Sequence, residues 1–345
     1  MLIDDYFDYQ LRYEEKYGND TVVLMEVGSF FELYGVDNDL EKIGNLQYIS
    51  EILNIQLTRR NKSILENSRT NALMAGFPSI SLNRYVNILL NKNYTIVLVE
   101  QTSDPPNPTR EVTKIYSPGT YINEIKRPES NNIISILIYE ELSYKTNNKS
   151  FLLGISTIDL STGKCNVYEK IFEDKEINAV MEDIHRFIES FNPSEIIFNT
   201  QKVSDEYKDM LYKFINCENR ILHFKFNQIK NVFFDIHYQN EFLKKIYTDT
   251  GLLSPVEYID MENMYISAIS FIVLLNFSWE HNSNIITKID KPSIWNENEH
   301  LVLYNDSIKQ LNIIDNNSTS NKIKSLFDII NKTSTSMGKR LLNYR

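Results

Sequence analysis

Strands and amphipathic helices alternate along the first part of the chain. Tyrosines recur at helical spacing in residues 4–17, and the apolar run TVVLME then predicts a buried strand that continues into VGSFFELYG. A helix is predicted from about Asp39 to Leu53, and the short strands of NIQLTRRN and NALMAGFP follow it. Ser81 is placed to cap another helix, after which come the strand YTIVLVEQ and the segment EVTKIYSPGTY. This alternation predicts a mixed α/β domain over residues 1–125.

A second α/β pattern follows a polar linker. IISILIYEE and FLLGISTIDL predict paired strands, STGKCNVYE a third strand, EINAVMEDIHRFIESF a helix, and EIIFN and LHFKFN two more strands. Beyond about residue 255 the pattern is helical, through YISAISFIVLLNFSW, SIKQLNII, KIKSLFDIIN and SMGKRLLNYR. We therefore expect a multidomain protein of α/β and α+β class, with domains at 1–125, 126–255 and 256–345. The last helix stops in mid-pattern, so we expect the chain to be a fragment cut inside an all-helical domain.

The stretch GSFFE places two aromatic rings beside a carboxylate. If the strand runs through it, Phe31 and Leu33 share one face, while Phe30 and Glu32 share the other. Spacing alone favours an ordinary hairpin, in which Phe30 packs under a helix and Glu32 is a solvated charge at the rim. The functional alternative is a wedge, because an apolar ring on a strand can enter the minor groove and part stacked base pairs. Glu32 would then accept a hydrogen bond from a base.

Three basic residues, Arg59, Arg60 and Lys62, cluster in QLTRRNK. Taken alone, this cluster is more simply a solvated charge run. Its functional alternative is contact with the DNA backbone beside the wedge, because guanidinium groups suit phosphate oxygens. Gly76 and Pro78, in ALMAGFP, are interpreted as turn residues that end a strand and start a helix.

Composition excludes some classes of function. The net charge of −10 argues against a generic basic surface for nucleic acid, although it leaves room for a local basic patch. The five histidines have no ligand spacing with one another or with cysteine, so no metal site is expected. Two distant cysteines, with no segment typical of a signal peptide or membrane span, indicate a soluble protein of a reducing intracellular compartment. Heavy use of Asn, Ile, Lys and Tyr indicates an A+T-rich genome, such as that of a large DNA virus or an organelle.

Five segments resemble a known family. GSFFELYG, LTRRN, MAGFP, VEQTSDP and YSPGT occur in the order, and at intervals similar to those, of the segments that mark the amino-terminal domain of the MutS family of DNA mismatch-repair proteins. The resemblance implies that Phe30 stacks on a mispaired base and that Glu32 hydrogen-bonds to it. LLGISTIDLSTGKC resembles the ribonuclease-H-like connector domain, and SMGKRLLNYR the helix that opens the helical core. Ser29 and Phe31 stand where many members have Asp and Tyr.

The resemblance also implies partners and cofactors. Double-stranded DNA with mismatches is the expected ligand, a homodimer is expected for the complete protein, and downstream repair factors stay unknown. ATP and Mg²⁺ are expected for the complete protein but not for this segment, to which we assign no catalytic residue. The family's ATPase needs a GxxxxGK[ST] loop, and STGKC lacks its first glycine and the Ser or Thr after the lysine.

Two alternatives remain open. A metal-dependent nuclease would gather carboxylates around Mg²⁺. Asp159 lies on a suitable strand, but Glu182, Asp183 and Asp205 give it no evident partners. The other alternative is an interaction module that has kept the fold and lost DNA recognition, for which the acidic net charge is the best support.

Overall fold

The computed structural model describes most of the chain and divides it into two compact units. The first unit is formed by the residues up to Tyr121, with short stretches that begin at His223 and Ser278, and the second by the remainder. The described residues are 2–59, 61–64, 66–103, 108–121, 131–142, 149–172, 177–215, 221–223, 231–281, 283–287, 289–296, 307, 310–313 and 325–344.

The first unit is built on one mixed sheet. Its elements are α1 (Leu2–Tyr17), β1 (Thr21–Val27), β2 (Phe30–Asp37), β3 (Lys42–Ile43), α2 (Leu46–Leu53), β4 (Thr58–Arg59), β5 (Leu73–Pro78), a 3-10 turn (Ser79–Ser81), α3 (Leu82–Leu90), β6 (Thr95–Gln101) and β7 (Arg110–Tyr116). The strand order is β4-β5-β2-β1-β6-β7, and β3 pairs with β2. β2 runs antiparallel to β1 on one side and to β5 on the other, so it lies inside the sheet.

Helices cover both faces of this sheet. On one face, α2 and α3 pack over a core that includes Phe31, Leu33 and Phe77. On the other face, α1 is fixed to β1 by hydrogen bonds, because the Gln10 amide donates to the Thr21 carbonyl at 2.7 Å and accepts from the Val23 amide at 2.9 Å. The mixed α/β class expected from the sequence is thus confirmed for this unit.

Two local predictions were wrong. The helix expected from Asp39 begins only at Leu46. The reason is that the Asn38 side-chain oxygen accepts the Leu40 and Glu41 amides at 2.9 and 2.7 Å, and this turns the chain. Ser81 precedes α3 as expected, but its side chain makes no capping hydrogen bond, because a 3-10 turn leads directly into the helix.

The remaining elements form a second mixed sheet with helices. They are β8 (Asn132–Leu142), β9 (Lys149–Asp159), β10 (Lys164–Phe172), α4 (Ile177–Phe191), β11 (Glu195–Gln201), α5 (Asp205–Ile215), β12 (Ile221–His223), a 3-10 turn (Asn231–Phe234), α6 (Ile236–Leu243), α7 (Pro255–Tyr258), α8 (Tyr265–His281), α9 (Ser283–Ile286), β13 (Ser293–Ile294), α10 (Leu326–Ile330) and α11 (Ser336–Tyr344). The strand order is β12-β11-β8-β9-β10-β13. The paired strands β8 and β9, the third strand β10 and the helix α4 confirm the pattern in the sequence.

Some predicted segments fall only partly among the described residues. The loop SYKTNNKS lies mostly outside them, as do three of the eight residues of SIKQLNII and the end of LHFKFN. α5 and α6 were not predicted. Cys165 is buried, and burial raises the pKa of its thiol, as expected for a structural cysteine. Cys217 lies outside the described residues.

α8 is the buried helix that the apolar run predicted. Two of its serines face the second sheet, where Ser267 Oγ donates to the Tyr168 carbonyl and Ser270 Oγ to the Ser135 carbonyl, both at 2.8 Å. Within the described part of the chain, every helix is too short or too polar to cross a lipid bilayer. The close approach of α8 depends on Gly154 in β9, because a Cβ atom there would lie 2.6 Å from the carbonyl carbon of Ile266.

Gly154→Ala should therefore strongly destabilise the protein. The added methyl group would meet main-chain atoms, which cannot move aside as a flexible side chain can, and overpacking of this kind costs about 3 kcal/mol. Urea denaturation should detect the loss. Ser150→Ala, on the same strand, should change the free energy of unfolding by roughly 0.5 kcal/mol or less. Equal stability of the two variants would contradict the packing of α8 on β9.

Candidate functional site

Phe30 lies at the start of β2, directly after the turn that joins it to β1. The turn contains Gly28, whose φ of +63° few residues other than glycine adopt. Phe30 pairs with Val27 on one side and with Pro78 on the other. Its side chain is 45% exposed, whereas that of Phe31 is 3% exposed. The predicted alternation is confirmed: Phe31 is core and Phe30 lies on the other face.

Glu32 lies on the same face as Phe30, half-buried between two strands. Met25 is its partner on β1, and Gly76 is its partner on β5. A Cβ atom at Gly76 would lie 3.4 Å from Glu32 Cγ and 3.0 Å from the Phe31 carbonyl oxygen. The interpretation of Gly76 as a turn residue was therefore wrong. It lies inside β5, where its lack of a side chain gives Glu32 room.

Tyr34 is the next residue of β2 on this face. Its hydroxyl donates a hydrogen bond to Glu32 Oε2. Only 5% of Tyr34 is exposed, and its ring makes an edge-on contact with Tyr6 of α1, with ring centroids 5.1 Å apart. Burial raises the pKa of Tyr6 well above its usual range, so its phenol is neutral at physiological pH. The face is therefore covered by α1 at Tyr34 and open at Phe30.

The turn that carries Phe30 is held by β6 and β7. Arg110 Nε donates to the Glu26 carbonyl at 2.8 Å, and the Gln101 amide nitrogen of the main chain donates to Glu26 Oε2 at 2.9 Å. When the Gln101 side-chain amide is oriented with its oxygen toward Arg110 and Gly28, that oxygen accepts from Arg110 Nη2 at 2.9 Å and from the Gly28 amide at 3.0 Å. The turn is therefore fixed to two further strands.

A further hydrogen bond comes from the opposite side. The Ser79 amide, which follows β5, donates to the Ser29 carbonyl at 2.9 Å. Together with the Arg110 and Gln101 contacts, it restrains the main chain on both flanks of Phe30.

The basic cluster lies apart from Phe30. Arg59 pairs with Leu73, which pairs with Gly35. From strand spacing and rise per residue, Arg59 is about 19 Å from Phe30. Leu73 belongs to the core under α2 and α3, and directly paired residues share a face of the sheet. Arg59 therefore lies on the face of Leu73, which is opposite to the face of Phe30. Lys62 is exposed, and Arg60 lies outside the described residues.

The sequence pattern thus located two residues that the structure brings together, Phe30 and Glu32. It missed three that hold them, Tyr34, Gln101 and Arg110. Tyr34 could have been found, because the same alternation puts it on the face of Glu32. Gln101 and Arg110 could not, because their role depends on the pairing of distant strands.

The acidic residues considered for metal binding are dispersed. Asp159 Oδ1 accepts the Ser161 amide at 2.9 Å and the Ser161 hydroxyl at 2.6 Å, which stabilises a turn. Asp183 pairs with Lys170 at 2.7 Å and with Arg186. Asp205 is exposed and pairs with Lys208 at 2.9 Å, and Glu182 is exposed on α4. Among the residues that the structure describes, no three His, Cys, Asp or Glu side chains form a possible metal site. These residues give the nuclease alternative no support.

The STGKC segment forms the turn between β9 and β10. The Gly163 amide donates to the Asp159 carbonyl at 2.8 Å, and a strand rather than a helix follows. A phosphate loop needs main-chain amides that converge at a helix N-terminus. The geometry confirms the hairpin turn and does not fit a nucleotide phosphate.

Comparison with known proteins identifies the class to which this arrangement belongs. Residues 9–125 match the family model of MutS domain I. A MutS homologue of Acanthamoeba polyphaga mimivirus is 32% identical over 363 residues, which cover 98% of this chain and 32% of that protein. DNA mismatch repair protein MutS of Caldanaerobacter subterraneus subsp. tengcongensis is 26% identical over 348 residues, covering 99% of this chain and 35% of that protein.

A third relative extends the same picture. MutS of Petrotoga mobilis is 29% identical over 337 residues, which cover 96% of this chain and 35% of that protein. The chain thus spans about a third of the length of the relatives it matches. It belongs to the MutS family of DNA mismatch-repair proteins, and one of these relatives is viral.

The two adjacent phenylalanines should differ sharply in their effect on stability. Phe31→Ala should lower the free energy of unfolding by about 3–5 kcal/mol, because it empties a core position. Phe30→Ala should lower it by about 1 kcal/mol, because nearly half of the residue is already exposed to water. Thermal or urea denaturation of both variants tests this contrast. A loss for Phe30→Ala as large as that for Phe31→Ala would show that Phe30 is a core residue.

Proposed function

We propose that the protein binds double-stranded DNA that contains mismatched or distorted base pairs. It would act as the sensor part of a mismatch-repair protein similar to MutS. The observation that most supports this proposal is the exposed ring of Phe30 beside Glu32, on the open end of a sheet face, in a segment that matches MutS domain I. An exposed aromatic ring whose backbone is fixed on both sides is suited to insertion into another molecule.

Phe30 would discriminate through the energy of DNA deformation. Insertion of an apolar side chain from the minor groove unstacks a base step, which costs about a few kcal/mol. The cost is lower where a mispair has already weakened stacking. A mismatch would therefore bind better although no base sequence is read. The hydrogen bonds from Arg110 and Ser79 to the turn keep the ring from yielding when it meets the stack.

Glu32 would add a contact that depends on the state of the base pair. A carboxylate accepts a hydrogen bond from a base N–H, and an unpaired or displaced base offers such a donor more easily than a base in a regular pair. The same charge is repelled by phosphates, so Glu32 penalises a duplex that offers no donor in return.

The basic cluster would act at a distance from the wedge. Arg59 lies about 19 Å from Phe30 on the other face of the sheet, in the edge strand β4, so it would contact the backbone of the flanking duplex beyond that edge, roughly five to six nucleotides away. Arg60 and Lys62, which follow in the sequence, belong to the same proposal. They would hold the flanking duplex and contribute affinity without discrimination.

The rest of the chain fits the family in broader terms. We propose that the second unit is the ribonuclease-H-like connector, a proposal supported by three antiparallel strands, β8 to β10, with β11 parallel to β8. We also propose that the helices that follow open a helical core domain. ATP and Mg²⁺ as cofactors and a homodimer belong to the proposal for the complete protein. Because STGKC is a turn between two strands, we assign no nucleotide-binding role to it.

Phe30→Ala should remove most of the preference for mismatched DNA in the complete protein. The ratio of the affinities for a mismatched duplex and its matched counterpart, measured by fluorescence anisotropy, should fall by about tenfold or more in the variant. The reason is that insertion into a weakened base step supplies the discrimination. Tyr48→Ala is a suitable control, because Tyr48 on α2 is 48% exposed in the same unit. A retained preference in Phe30→Ala would refute the wedge. A wild-type protein without preference would favour the interaction module.

Substitution of the basic residues and substitution of Glu32 should have different effects on the salt dependence of DNA affinity. Replacement of Arg59 and Arg60 by Ala should weaken matched and mismatched DNA alike, and the salt slope should fall by roughly one unit per lost phosphate contact. Glu32→Ala should leave matched DNA bound as well or better, lower the ratio of mismatched to matched affinity, and leave the slope level or slightly steeper. Equal losses of both affinities from both changes would contradict separate roles for Glu32 and the basic cluster.

A further inference from the structure

The Tyr34 hydroxyl is a polar group of the site face to which the proposed function gives no role. It donates to Glu32 Oε2 from the next position of β2 on the same face. We propose that Tyr34 is a positioning residue for Glu32, which holds one carboxylate oxygen and leaves the other, Oε1, as the acceptor for a base. This inference rests on the proposed function and adds a determinant of its specificity.

Tyr34 has a rigid support. Only 5% of its surface is exposed, and the ring of Tyr6 packs edge-on against it. Tyr6 is itself anchored, because its hydroxyl donates to the Val23 carbonyl at 3.1 Å. A phenol ring has few rotatable bonds, so fixing the ring fixes the position of the hydroxyl. The donor that meets Glu32 is thus part of the interior and is in place before DNA arrives.

Glu32 has little such support of its own. Its neighbours across the strands are Met25, which has no hydrogen-bond donor on its side chain, and Gly76, which has no side chain. In the part of the chain that the structure describes, the Tyr34 hydroxyl is the one hydrogen-bond donor to the Glu32 carboxylate, and it binds Oε2. Without it, the flexible glutamate would have no polar contact to restrict its rotamers.

The consequence for binding is preorganisation. A long side chain that must be immobilised on binding reduces affinity by roughly two- to tenfold. When Tyr34 has already restricted Glu32, that cost is met in folding and not in recognition. The arrangement also leaves a single oxygen, so one base donor satisfies the contact. Discrimination by Glu32 should therefore depend on the Tyr34 hydroxyl, although Tyr34 itself touches no DNA.

A double-mutant cycle tests this dependence. Tyr34→Phe keeps the buried ring and removes only the hydroxyl. In the complete protein, it should reduce the ratio of mismatched to matched affinity by about three- to tenfold, and it should have no further effect in a Glu32→Ala background. Tyr247→Phe is the matched control, because it also removes a buried tyrosine hydroxyl, one that donates to the Asp290 carbonyl at 2.9 Å and not to Glu32. It should lower the melting temperature and leave the affinity ratio unchanged.

The outcomes distinguish this inference from the proposed function. An unchanged ratio in Tyr34→Phe would overturn the inference, as would an equal reduction in the presence and absence of Glu32, since the effect would then pass through the fold. In either case, a collapse of the ratio in Phe30→Ala and Glu32→Ala would leave the proposed function intact. Wild-type ratios in Phe30→Ala and Glu32→Ala would refute the proposed function and the inference together.

Discussion

The hydrogen bonding of β2 on both edges is the constraint on which the first unit depends. β1 and β5 fix the register of β2 from both sides, so its side chains must alternate between two environments. Phe31 and Leu33 enter the core beneath α2 and α3, and Phe30, Glu32 and Tyr34 lie on the other face. The residues that build the domain and the residues of the candidate site are thus interleaved in one strand. A slip of one residue would exchange the two sets.

Under the proposed function, the acidic charge of the chain would suit a sensor that tests DNA by deformation. A net charge of −10 gives little general attraction for phosphates, and the site face carries a carboxylate beside its exposed ring. Under the proposed function, affinity at the site comes from stacking and from one hydrogen bond, and both are available only when the base pair has yielded. Weak attraction for regular duplex then lets the small energetic difference at a mispair decide binding.

Local pattern was enough to predict most strands of the two sheets and the two faces of β2, because alternation and apolar runs involve neighbouring residues. It did not predict the strands β3, β7 and β13. It was not enough where a side chain acts on the main chain, as Asn38 does when it delays α2. It also could not place Arg59, whose distance from Phe30 is set by the pairing of β4, β5 and β2. The domain boundaries at 125 and 255, and the roles of Phe30, Glu32, Arg59, Arg60 and Lys62, stay predictions.

The hydrogen bonds that hold the turn before Phe30 have a consequence for how the sequence can change. Arg110 binds the carbonyl of Glu26, and Ser79 binds the carbonyl of Ser29, so both recognise atoms that every residue possesses. The side chain at position 29 can therefore change without loosening the turn. A substitution at position 29 would alter the chemistry beside the aromatic ring and leave the direction of the ring unchanged. Under the proposed function, the preference among mispairs could therefore change without loss of stability.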